Sequence, residues 1–95
     1  MLSRIPIDLE RIKKEDLDKE ILRSAMIAEL DAINLYEQMA DMTQSRNIRK
    51  LLLDVAKEEK THVGEFEALL LMKDKEQEKE LKKGEEEAEA LMRKD

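Results

Sequence analysis

Apolar positions recur at helical spacing over two long stretches of the chain, which predicts two long helices. The first helix is predicted from about Lys14 to about Met42 and the second from about Arg46 to about Lys73. One face of the first helix carries Leu22, Ala25, Met26, Glu29, Ile33, Tyr36 and Ala40. A heptad series on the second helix consists of Ile48, Leu52, Val55, Glu59, His62, Phe66 and Leu69.

The residues between the two helices predict a tight turn. The stretch 43–47 is polar and rich in capping residues, and Ser45 is a plausible N-cap of the second helix. A short turn there makes an antiparallel hairpin. We therefore divide the chain into a lead-in over 1–13, a helical hairpin over 14–73, and a region over 74–95 with a charged linker and a short helix after Gly84.

Two helices alone cannot enclose a core. The triplets 51–53 and 69–71 are each all leucine and each spans about 200° of the helix circumference. More than one face of the second helix therefore needs a neighbour. For a chain of 95 residues, self-association is the economical solution. The predicted fold class is all-α, an antiparallel two-helix hairpin that dimerises into a four-helix bundle and then associates further.

Composition narrows the range of functions. Charged residues make up 44% of the chain, with one proline and two glycines, as in long helices. Without cysteine, neither disulfides nor a thiolate metal site can form. A net charge of −6, with acidic and basic residues interleaved, disfavours nucleic-acid binding. The sequence shows neither an apolar run near the roughly 20 residues of a membrane span nor a signal peptide, so we expect a cytoplasmic protein without a membrane partner.

The centre of the second helix carries the candidate chemistry. Glu59 and His62 are three residues apart within an apolar series and therefore share a face. Burial of an unpaired carboxylate costs several kcal/mol or more. A metal ion is one way to neutralise it, and Glu-x-x-His on an inward face is half of the di-iron carboxylate motif of helical bundles.

The first helix supplies a third candidate ligand. Glu29 is an acid on an apolar stripe, about 16 residues before Ser45, and Glu59 and His62 follow Ser45 by about 14 and 17 residues. In an antiparallel hairpin these three residues lie at the same height. A lone histidine is more often a core residue held by hydrogen bonds, but the matching height of two carboxylates favours a metal site. Two chains would supply six oxygen and nitrogen ligands, which suit Fe(II), Mn(II) or Zn(II).

These residues resemble those of the encapsulated ferritins, members of the ferritin-like superfamily that are reduced to one helical hairpin. The resemblance rests on Glu29, on Glu59-x-x-His62 and on Tyr36, and it covers roughly residues 14–73. It implies a ferritin-like four-helix bundle made by two chains, in which Glu59 bridges two iron ions and Glu29 and His62 are terminal ligands. Tyr36 would lie close to the site.

The resemblance also implies an activity and partners. It implies a ferroxidase that oxidises Fe(II) to Fe(III) with O2 at a di-iron centre holding two iron ions per dimer. Five homodimers would form a decameric ring inside an encapsulin shell in the cytoplasm, where the iron is stored. The family pattern has acidic residues beside the first ligand as a metal-uptake site. Here these positions are Ala28 and Asp31, and only Asp31 keeps the charge.

The end of the chain departs from free-standing family members, which finish in a partly apolar tag that docks to the shell. This sequence ends Leu91-Met92-Arg93-Lys94-Asp95 and shows no such tag. Some archaeal relatives carry the domain fused to the shell protein. The sequence is compatible with the N-terminal ferritin-like domain of such a fusion.

Two other functions remain open at this point. The chain could be a non-catalytic helical oligomerisation module, with the two glutamates and the histidine as a structural metal site or a hydrogen-bonded cluster. Another di-metal activity, such as peroxide reduction, is a third reading. Without cysteine, the chain contains no rubredoxin-type electron-transfer partner.

Overall fold

The structure is a computed structural model, and it describes residues 13–94. A 3-10 turn over Lys14–Asp16 leads into helix α1, Leu17–Met42, which is followed by α2, Arg46–Lys73, and α3, Lys75–Met92. All regular structure in this range is helical, so the all-α prediction is confirmed. The predicted lead-in lies almost wholly outside the described residues. The proposed domain boundaries stay predictions.

Helices α1 and α2 form the predicted hairpin, and local chemistry fixes its turn. Ser45 Oγ accepts a hydrogen bond from the Ile48 backbone N–H at 3.2 Å, so the predicted N-cap is confirmed. Arg49 satisfies the end of α1: Nε donates to the Ala40 carbonyl at 3.0 Å and Nη2 to the Thr43 carbonyl at 2.6 Å. The last carbonyls of a helix have no partner within that helix. Arg49 therefore supplies partners and locks the turn.

The face that α2 turns toward α1 differs by about one residue from the predicted heptad. Ala56 and Leu70 are buried, whereas Ile48 and Leu69, the two ends of the predicted series, are exposed. Each leucine triplet spreads apolar surface over about 200° of the helix and could not single out one face. On α1 the prediction is better, because Ile33 and Ala40 are buried as expected. The shift places His62 at the margin of the hairpin contact.

Helix α3 is longer than predicted. We expected a charged linker over 74–83 and a helix only after Gly84, but α3 runs without a break from Lys75 to Met92. Glycine in a helix interior costs about 1 kcal/mol relative to alanine. The start of α3 offsets this cost, since Asp74 caps it and Glu76 and Glu78 favour the positive end of the helix dipole.

Asp74 forms the corner between α2 and α3. Its Oδ1 accepts the Gln77 backbone N–H at 3.0 Å, and its Oδ2 accepts from Arg23 Nη2 of α1 at 2.7 Å. Beyond this corner α3 leaves the hairpin, and its residues from Glu78 to Met92 are all exposed. Two of the overall dimensions are therefore long, 47 and 46 Å, against a thickness of 20 Å.

The stability of the corner between α2 and α3 should depend on pH. The hydrogen bond from the Gln77 N–H lowers the pKa of Asp74, and the adjacent Arg23 lowers it further. A folded-state pKa below the unfolded value means that the contribution of Asp74 is present at neutral pH and is lost as pH falls through the lowered pKa. Asp74→Asn keeps the cap but cannot titrate. On acidification, NMR shifts of residues 75–80 should therefore report more fraying in the wild type than in this variant; equal fraying would contradict the assignment.

Candidate metal centre

The hairpin brings the three predicted ligands together. Glu29 projects from α1, and Glu59 and His62 project from consecutive turns of α2. One ligand atom from each of these residues can be chosen so that all three atoms lie within 4.8 Å of one another. The prediction that the three residues lie at one height is therefore confirmed. It follows from the tight turn, because capping at Ser45 fixes how far each residue lies from the hairpin end.

Distances within the cluster suit shared coordination of a cation. His62 Nδ1 lies 3.2 Å from Glu29 Oε2 and 3.5 Å from Glu59 Oε2. Two carboxylates and an imidazole form a donor set of hard oxygens and a borderline nitrogen, which Fe(II) accepts. In the range 13–94 no other histidine or carboxylate joins this cluster.

Within residues 13–94, no lysine or arginine neutralises the two carboxylates. No nitrogen of such a side chain in this range lies within 4.0 Å of either carboxylate, and the imidazole of His62 is their polar partner. The nearest basic residue in sequence, Lys60, pairs instead with Glu37 of α1 at 3.2 Å. A divalent cation would therefore relieve repulsion between Glu29 and Glu59.

The cluster is open on one side. The side chains of Glu29 and Glu59 are 21% and 18% exposed, while that of His62 is 43% exposed. The carboxylates thus lie between the two helices, and the imidazole lies at the edge. Exposed apolar residues continue along the His62 side of α2 in both directions, among them Leu51 and Leu69. A single chain therefore presents three ligands on a surface that is apolar above and below them.

Comparison with known proteins identifies the family. The rubrerythrin family model matches residues 20–94, which is most of the chain. The chain belongs to the rubrerythrin family. The matched range contains all three clustered residues.

Two relatives refine the position within the rubrerythrin family. A ferritin-like-encapsulin shell fusion protein from Pyrococcus furiosus is 62% identical over 94 residues, covering 96% of this chain. The chain spans only 27% of the length of that fusion protein. The crystal structure of the encapsulated ferritin domain from Pyrococcus furiosus matches with a TM-score of 0.81 and 55% identity, covering 96% of this chain and 93% of that one. The resemblance to encapsulated ferritins is therefore confirmed.

Two further residues singled out from the sequence lie apart from the cluster. Tyr36 is half-buried on the same face of α1 as Glu29, but about 10 Å further along the helix axis. Asp31 is two residues from Glu29, so it leaves α1 about 200° around the helix from that ligand. Neither residue is a ligand within one chain. Their assignment to the surroundings of the site or to metal uptake remains a prediction.

Within residues 13–94, no helix is both long enough and apolar enough to cross a bilayer.

Proposed function

We propose that this rubrerythrin-family chain is a ferroxidase that oxidises Fe(II) to Fe(III) with O2 at a di-iron centre shared by two copies. The observation that carries the proposal is the cluster of two carboxylates and one imidazole within 4.8 Å, on the open side of a helical hairpin. Iron is here both the occupant of the site and the substrate. The rubrerythrin and encapsulated ferritin relatives support iron over the other metals that the donors would accept.

A second copy completes the centre. Three protein ligands leave a divalent iron under-coordinated, and the edge position of His62 leaves the site accessible to another chain. A twofold axis beside His62 would bring two sets of Glu29, Glu59 and His62 together and form a four-helix bundle from two hairpins. The homodimer would then hold two iron ions, one for each chain.

Each ligand has a distinct place in this arrangement. Glu59 is the least exposed of the three residues, which suits a carboxylate that bridges both iron ions. Glu29 from α1 and His62 from α2 would be terminal ligands, which each bind a single iron ion. When bound, the iron pair would supply one electron from each ion to O2. The chain's own residues would hold the two ions and balance their charge with four carboxylates, two from each copy.

The relatives support a proposal for the destination of the ferric product. One relative is a ferritin-like-encapsulin shell fusion protein, and another is an encapsulated ferritin domain. By analogy we propose that this chain assembles as a homodecameric ring and works inside a cytoplasmic encapsulin compartment, where the oxidised iron is stored. The shell protein would be its macromolecular partner.

Rapid mixing of the protein with Fe(II) in aerobic buffer tests the proposal. A ferroxidase should produce a ferric absorbance signal faster than protein-free buffer does, and the same mixture without O2 should produce none. A rate equal to that of the protein-free control would overturn the proposal in favour of a non-catalytic oligomerisation module. If the protein is such a module, metal analysis of the same sample shows whether its cluster binds a structural metal or none.

A further inference from the structure

An apolar groove lies between α1, α2 and α3, away from the candidate metal centre. Ile27, Leu30 and Leu81 line it and are 39%, 51% and 44% exposed, and the groove volume is about 370 Å³. Glu67 borders the groove and is about 140° around α2 from His62. Contiguous apolar surface of this kind marks a place where another group binds.

A polar cleft connects the groove with the first described residue of the chain. Lys13 lines this cleft, together with Glu20 of α1 and Glu76 of α3. Arg23 lines both the cleft and the groove, so the two adjoin. Lys13 has extended backbone angles, with φ −61° and ψ 141°, and the 3-10 turn Lys14–Asp16 follows it. A segment that precedes Lys13 therefore starts at the cleft, with a bend between it and α1.

Residues 1–12 lie outside the described part of the chain, and their sequence has the pattern that a path along the groove requires. The stretch 5–10 alternates strictly between apolar and other side chains, Ile5, Ile7 and Leu9 against Pro6, Asp8 and Glu10. In an extended chain, residues two apart point to the same side. One side of this stretch would therefore be apolar and the other acidic, and proline is compatible with extended backbone.

The lengths of the two paths agree. Ile27 is 14 residues after Lys13, which is about 21 Å along α1, and Ile7 is six residues before Lys13, which is about 20 Å of extended chain. By the same measure, Leu30 and Ile5 are each about 26 Å from Lys13. A segment folded back along α1 thus brings two isoleucines level with two exposed apolar residues of the groove.

Charge fits the part of the path that crosses the cleft. Arg11 is an even number of residues from Ile7, so it points to the same side of an extended chain. Two residues before Lys13, it would lie at the cleft, where Glu20 and Glu76 supply carboxylates. Asp8 and Glu10 would point away from the protein into water.

We propose that residues 5–9 dock in an extended conformation in the groove of their own chain, with Ile7 against Ile27 and Ile5 against Leu30. Covalent attachment at Lys13 favours this occupant over a separate molecule, because the segment is held near the groove at a high effective concentration. The segment would thereby cover apolar surface that the three described helices leave exposed.

Disulfide trapping tests the docking in the full chain, which has no native cysteine. Mild oxidation of Ile7→Cys/Ile27→Cys should give a bond within one chain, read as a monomer of altered mobility on a non-reducing denaturing gel. The matched control is Asp8→Cys/Ile27→Cys, which closes a loop of nearly equal length. Its yield should be at least about fivefold lower, because neighbouring side chains of an extended chain point to opposite sides. Equal yields, or a covalent dimer as the main product, would overturn the proposal.

Alkylation of Ile27→Cys by a thiol reagent provides a second test. Adding Ile7→Asp should raise the alkylation rate at least about threefold, because a charge is costly against apolar surface and releases the segment. Adding Asp8→Asn, on the opposite side of the segment, should leave the rate unchanged. A rate that ignores Ile7→Asp would refute the proposal and is the result expected if a second copy covers the groove. No metal-site residue is altered, so these results do not depend on ferroxidase activity.

Discussion

Replacing Glu59 by glutamine is expected to reduce the rate of iron oxidation by about a hundredfold or more, while helix content stays unchanged. Loss of an outer partner of a metal ligand typically costs about 10 to 100-fold, and loss of a direct ligand should cost at least as much. Glu59 is the least exposed of the clustered residues and is the proposed bridge, so its loss affects both ions. The expected order of severity is Glu59→Gln, then Glu29→Gln and His62→Ala.

A matched control lies one residue away. Glu58 is exposed and lies outside the cluster, so Glu58→Gln removes the same charge from the same helix without touching the site. Rapid-mixing rates should therefore be near wild type for Glu58→Gln and near the protein-free control for Glu59→Gln. If Glu59→Gln oxidised iron as fast as Glu58→Gln, the assigned centre would be wrong.

Melting temperatures show whether a loss of activity in Glu59→Gln comes from the loss of a ligand or from unfolding. Without metal, Glu59→Gln removes one of two neighbouring carboxylates that no lysine or arginine within the described residues neutralises. Relief of this repulsion should leave the apo-protein melting temperature no lower than that of the wild type. A marked drop would show that Glu59 supports the fold through its contact with His62, and the repulsion argument would then fail.

The hairpin and its cluster were predictable because both depend on local signals. Ser45 marks the start of α2, and the chain length on either side of it sets Glu29 level with Glu59 and His62. The contact face of α2 was less predictable. Three consecutive leucines spread apolar surface over about 200° of the helix, and the buried Ala56 has a small side chain that gives only a weak apolar signal. The single-chain structure therefore left His62 nearer the edge than the heptad predicts.

The length of α3 was underestimated for a related physical reason. Charged residues between 75 and 83 indicate solvation, and solvation is compatible with either a linker or an exposed helix. The signals that decide between them are the cap at Asp74, its contact with Arg23, and the pairing of Lys75 with Glu78 on the first turn at 4.0 Å. Contacts that span 51 residues, as the one from Arg23 to Asp74 does, cannot be read from local sequence patterns.

Adding Fe(II) under anaerobic conditions, or Co(II) or Zn(II) as mimics, is expected to shift the protein from small species to a larger discrete oligomer. In the proposed shared centre each chain supplies three ligands, so the complete site would exist only in the associated state. A ligand that binds the associated state alone stabilises it by about 2.7 kcal/mol at 100 times its dissociation constant. This corresponds to about a hundredfold shift of the dimer equilibrium for each bound site.

Light scattering coupled to size exclusion, with and without metal, measures the shift, and titration gives the stoichiometry. We expect one metal ion per chain at saturation, because one set of Glu29, Glu59 and His62 serves one ion on each side of the twofold axis. His62→Ala is the matched control: it keeps the apolar surface around the site but should lose the response to metal. A wild-type mass that does not change with metal would mean that apolar contacts alone drive association. Two ions per chain would contradict the shared site, since each hairpin would then hold a complete centre without its partner.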